Sequence, residues 1–134
     1  MNRIFWKGAL AYLVPTFPLG YAWHLVTFHA PYEQLKMYRA EVIIPMGLAS
    51  MAIQSVFFAW AYPRLFSTAR GEWVASALRA WMVFGVLAWS FTTLPVAAKY
   101  QMTSVPLFLA LETGFTIVQF AAVAPLLALA MRRS

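Results

Sequence analysis

Four stretches of this chain, at about residues 5–28, 42–62, 74–98 and 104–131, run for twenty or more residues with no more than one formally charged side chain each. A bilayer core about 30 Å thick is crossed by roughly 20 apolar helical residues, and in lipid every backbone N–H and C=O must be paired within its own segment. The spacing therefore predicts four transmembrane helices. A membrane barrel would need segments of alternating polarity, and Ala121–Met131 has none.

Composition agrees. Of 134 residues, 63% are hydrophobic and 10% charged, where soluble domains run nearer half and a quarter. A soluble globule of this make-up would expose apolar surface over most of its outside. The expectation is an all-α integral membrane protein, a single transmembrane domain over 1–134. Arg3 and Lys7 give the first segment a basic start, but its length and the interrupting Pro15 and Pro18 predict a retained span rather than a cleaved signal.

Seven of the ten basic residues (Arg3, Lys7, Arg64, Arg70, Arg79, Arg132, Arg133) lie at the N-terminus, the second connection and the tail, against Lys36, Arg39 and Lys99 on the other side. The positive-inside rule then puts both termini in the cytoplasm, in a membrane of the bacterial inner type. Trp6, Trp60, Tyr62 and Trp73 are expected at the cytoplasmic interface, and Tyr32, Tyr38 and Tyr100 at the outer one. Short connections predict an antiparallel four-transmembrane-helix bundle. Between helices one and two, Tyr32, Leu35 and Tyr38 recur at three-residue spacing after Pro31, which predicts a short amphipathic helix lying in the outer interface. Pro15 and Pro18 predict a kink in the first span, and Pro63 the end of the second.

The informative residues are the costly ones. Glu112 lies about eight residues into the fourth span, where an acid costs on the order of 3 kcal/mol, offset by about 4–7 kcal/mol from the apolar residues around it. Such a group faces the bundle interior and marks a candidate site. Thr116 and Gln119 follow it at i+4 and i+7, on the same helix face. The other spans offer Thr16, Gly20, His24 and Thr27; Gly47, Ser50 and Gln54; and Gly85, Thr92 and Thr93. The candidate ligand site is therefore Glu112, His24, Gln54, Gln119, Thr116 and Thr93, an outer polar layer with the two glutamines beneath it.

Much chemistry is excluded. The chain has no Cys and no Asp, and His24 and His29 point away from each other on a helix, so thiolate, bis-His haem and Cys-based zinc sites are out. Arg79 is expected to snorkel to the headgroups. Basic residues scattered at span ends are not a nucleic-acid surface. Three functions fit what remains. The first is an accessory or stabilising subunit of a larger membrane complex, its 23 aromatic side chains packing on partner helices or on further copies. The second is a bundle that binds or moves a small apolar or weakly charged ligand, such as a quinone, lipid or pigment. The third is a membrane enzyme using Glu112 and His24 as acid and base. The residues name no cofactor.

Overall fold

A computed structural model describes residues 3–133; the ends of the expected 1–134 domain lie outside the described residues. Among these the chain is helical without a strand. Helix α1 spans Arg3–Tyr21 and passes directly into a π-helical segment, Ala22–Thr27, which α2 follows over His29–Gln34. Helices α3 (Ile44–Leu65), α4 (Trp73–Lys99, preceded by a 3₁₀ turn at Arg70–Glu72) and α5 (Val105–Met131) complete the chain. Three helices, those over Ile44–Leu65, Arg70–Lys99 and Val105–Met131, are long and apolar enough to cross a membrane. This is an integral membrane protein.

Local chemistry sets the helix ends. The Ser104 side chain caps α5 by accepting from the Leu107 N–H at 3.2 Å, with Pro106 in the first turn, where a missing N–H costs nothing. Pro45 opens α3 in the same way. Helix α3 runs through Pro63 and ends two residues later, so that proline is not the stop. In α1, Pro18 leaves the Val14 carbonyl without its helical donor. Four residues on, the hydrogen bonding widens to the π pattern, and the Phe28 N–H donates to the Trp23 carbonyl at 3.1 Å.

The helices run antiparallel in the lateral order α3, α1, α5, α4. Helix α1 packs along both α3 and α5, and α4 along α5, whereas α3 and α4 barely approach each other along the backbone. Indole N–H groups fix the α4–α5 pairing: Trp81 donates to the Ile117 carbonyl at 3.1 Å and Trp89 to the Thr113 hydroxyl at 3.0 Å. At the basic end, side chains close the gap between α3 and α4. Phe58, Tyr62 and Phe84 join Tyr12, Phe120 and Leu127 in one buried cluster. Toward α2 the gap stays open, and every residue from 41 to 50 is exposed.

Gly8 lets α1 come close. A Cβ there would stand within 3.4 Å of both Met131 and the Ala59 methyl, and small residues are what allow membrane helices this approach. Gly8→Leu is expected to destabilise the bundle by about 1–3 kcal/mol, the usual cost of overpacking. Unfolding in mixed micelles checks it.

Two interface assignments need correction. Helix α2 ends at Gln34, Lys36 turns the chain with φ 53°, and the helix keeps His29, Ala30, Glu33 and Gln34 exposed while Tyr32 faces inward. Tyr32 and Leu35 are 1% and 0% exposed. They are tucked onto Phe108 and Leu111 of α5, because the 100–104 loop ties down the end of α2. Thr103 donates from its hydroxyl to the Gln34 carbonyl at 2.6 Å and from its N–H to the Leu35 carbonyl at 3.2 Å. Tyr62 is likewise core, not an interface anchor.

Candidate functional site

Two hydrogen-bonded groups occupy the bundle interior, one above the other along α1 and α5. The upper one centres on Glu112. His24, from the π segment, places Nε2 3.1 Å from Glu112 Oε1, and Tyr32, from α2, donates its hydroxyl to the same oxygen at 2.6 Å. His24 Nδ1 lies 2.9 Å from the Gly20 carbonyl. A carbonyl only accepts, so Nδ1 carries a proton.

That tautomer restricts the pair. With Nδ1 committed, the contact between Nε2 and Oε1 holds one proton, on either the nitrogen or the oxygen. The two arrangements are imidazolium with carboxylate, or imidazole with carboxylic acid. Both are neutral as a pair, which is what a low-dielectric interior requires of an ionisable group. The shared proton can move between the nitrogen and the oxygen without changing the net charge of the pair. Burial, then the bond to Glu112, holds the Tyr32 phenol well above the ordinary tyrosine range, so Tyr32 stays a donor. Its ring lies against His24, 4.9 Å between centroids, and stacks on Tyr38 at 5.2 Å.

The lower group centres on Tyr12, which is 1% exposed. Its hydroxyl donates to Gln54 Oε1 at 2.5 Å and accepts from Gln119 Nε2 at 3.3 Å. Gln54 in turn donates to the Ser50 hydroxyl at 3.1 Å. Each amide nitrogen has two hydrogens and spends one in these bonds, so each keeps a donor in reserve.

Between α3 and α4 these groups become the floor of a cleft of about 570 Å³. Tyr12, Gln54, Glu112, Thr116 and Gln119 line it, with Phe57 and Phe91 on its two walls. A second cavity of about 410 Å³ lies on the other side of Met51 and Phe115, and it is lined by His24, Tyr38 and Arg39. The two halves of the pair thus face different spaces, Glu112 the cleft and His24 the cavity beside the 36–43 loop.

Of the six candidate residues, five come together. His24 and Glu112 bond directly, Gln54 and Gln119 meet through Tyr12, and Thr116 lines the cleft while its hydroxyl donates to the Glu112 carbonyl at 2.9 Å. Thr93 stands apart. It is fully buried on α4 with no partner for its hydroxyl among the described residues, and it does not line the cleft. Sequence reasoning missed Tyr12 and Tyr32. Tyr12 extends the Thr16, Gly20, His24 stripe backward by one more four-residue step, a signal that was available. Tyr32 carried no such mark, since its role depends on how α2 folds down.

No group of three or more His, Cys, Asp or Glu side chains suited to a metal occurs among the described residues. Comparison with family models, with curated proteins and with solved structures returns no match, so the functional reading rests on the geometry.

Proposed function

We propose that the protein binds a ring-headed amphiphile from the bilayer, of the quinone class, in the cleft between α3 and α4. The observation that carries this reading is a polar floor at the bottom of an opening with apolar walls. A lipid tail alone would have no use for two spare amide hydrogens, whereas a head with two carbonyl oxygens accepts from both. The volume suits it as well, since ligand sites run about 300–1,000 Å³. Aromatic walls offer stacking for a ring.

This reading takes α1 and its π continuation as a fourth span. Arg3–Thr27 covers about 37 Å at 1.5 Å per residue. It packs on α3 and α5 together, so it shares whatever medium they occupy. The excess of basic residues at its start, on the 66–72 connection and in the tail favours both termini on the cytoplasmic side. An accessory role remains the second reading, favoured by the exposed 44–50 stretch of α3, which a partner helix would cover.

Ala88 lines the cleft from α4, and Ala88→Trp would fill it without touching a hydrogen bond. In nanodiscs, a decyl-tailed benzoquinone is expected to raise the melting temperature of the wild type in a saturable way, as a ligand that binds only the folded state must. Ala88→Trp should abolish the shift. An unshifted wild type, or an equal shift in the variant, would sink the proposal.

A further inference from the structure

A second groove, of about 710 Å³, lies at the basic end, on the far side of α3 from α4. It runs between Ile53 and Trp60 of α3 and Ile4 and Phe5 of α1, and it ends at Arg64 and Arg133. From Ile53 to Arg64 the helix rises about 16 Å at 1.5 Å per residue, close to half of a hydrocarbon core about 30 Å thick. The groove is therefore one leaflet deep, apolar along its length and cationic at its mouth.

The Arg64 cation is held in place, and the backbone carrying Arg133 is anchored. The Arg64 guanidinium donates to the Trp60 carbonyl at 2.5 Å and lies over the Trp60 ring, 4.4 Å from its centroid. That bond uses one of five N–H donors. The Arg133 backbone N–H donates to the Thr68 carbonyl at 2.8 Å, which sets that residue against the loop after α3. No Asp or Glu lines the groove. Of the four acids in the sequence, only Glu72 belongs to this end of the bundle.

We infer that this groove holds one anionic phospholipid, its phosphate on Arg64 and Arg133 and an acyl chain along α3. Basic pockets at the ends of membrane helices recognise acidic head groups in this way. A zwitterionic lipid fits worse, because its choline would sit beside two guanidiniums with no carboxylate to receive it.

The test is native mass spectrometry of the full chain, released from micelles holding equal amounts of phosphatidylglycerol and phosphatidylcholine with the same acyl chains. Wild type is expected to retain one phosphatidylglycerol with roughly tenfold preference, the two basic groups acting together after screening. Arg64→Gln combined with Arg133→Gln should bring the preference to parity. Val56→Trp, which fills the groove and keeps both charges, should also lose the bound lipid, and it decides the matter if the double variant does not fold. Arg70→Gln, at the same end but outside the lining, should leave the preference intact. Parity in wild type overturns the inference, as does a preference that survives both groove variants. A loss in Arg70→Gln as large as in the double variant overturns it too, since the effect would then belong to the surface charge of the whole end.

Discussion

Glu112→Leu is expected to raise the efficiency with which α5 enters the bilayer and to lower the stability of the assembled bundle. The two effects have opposite signs because they refer to different steps. Entering the membrane, leucine removes an insertion cost of about 3 kcal/mol. Assembling the bundle, it removes the acceptor that His24 and Tyr32 share. Interhelical hydrogen bonds in membranes average about 0.6 kcal/mol and reach about 1.7, and a buried donor left unpaired costs about 1–3 kcal/mol. A net loss of about 2–3 kcal/mol follows. Glu112→Gln should lose about 1 kcal/mol, because both contacts fall on one oxygen, and an amide there keeps one of them, its carbonyl accepting from Tyr32 or its nitrogen donating to the unprotonated Nε2 of His24. Reversible unfolding in mixed micelles measures the bundle, and a glycosylation-based insertion assay measures the helix. A leucine variant with unchanged bundle stability would mean that the carboxyl is not bonded as described. The same pair of variants tests the site. If the glutamine form binds the benzoquinone as wild type does and the leucine form does not, Glu112 acts as a hydrogen-bonding group whose ionisation is unnecessary for binding.

Part of this was legible in the chain itself, and the reason is physical. An acid in the middle of an apolar run must find a partner, and the other spans offered few. His24 was the sole ionisable candidate at a similar depth, and it is the residue that meets Glu112. The glutamines were legible for the same reason, being too polar to face lipid. What stayed hidden depends on groups with two acceptable environments. A tyrosine satisfies both an interface and a buried hydrogen bond, so Tyr32 and Tyr62 read as anchors although they are core. That the apolar face of α2 docks onto α5 was hidden too, because its spacing suits either medium, and Thr103, far along the sequence, ties the end of the helix down. Thr93 failed for a related reason. A hydroxyl costs little in a helix, and its presence on a small-residue stripe says that α4 packs closely there, not that it lines a site. The gap between α3 and α4 toward α2 has no local signature at all, yet the cleft depends on it.

That asymmetry between a closed end and an open one leads to the remaining large effect. Phe120→Ala is expected to destabilise the bundle by about 2–4 kcal/mol, while Phe91→Ala leaves it within about 0.5 kcal/mol of wild type. Phe120 is 0% exposed. Its ring lies 5.7 Å from Phe58 of α3 and 6.4 Å from Tyr12 of α1, and its side chain packs 3.8 Å from where a Cβ on Gly85 of α4 would stand. It is the point on α5 at which the other three long helices meet. In lipid the transfer part of the usual aromatic-to-alanine cost shrinks, since the unpacked surface meets hydrocarbon instead of water. The cavity part remains, at about 24 cal/mol for each Å³ left empty. Phe91 is 72% exposed on the wall of the cleft and leaves no void behind it. The order of the two effects is therefore a measurement of where the bundle is shut. If Phe91→Ala costs as much as Phe120→Ala in the purified protein, something covers the cleft mouth in the folded state. The opening would then be an interface with another helix, and the accessory reading would replace the ligand one. If only Phe120→Ala is costly, α3 and α4 are clamped at the basic end alone, and the polar floor stays within reach of molecules dissolved in the bilayer.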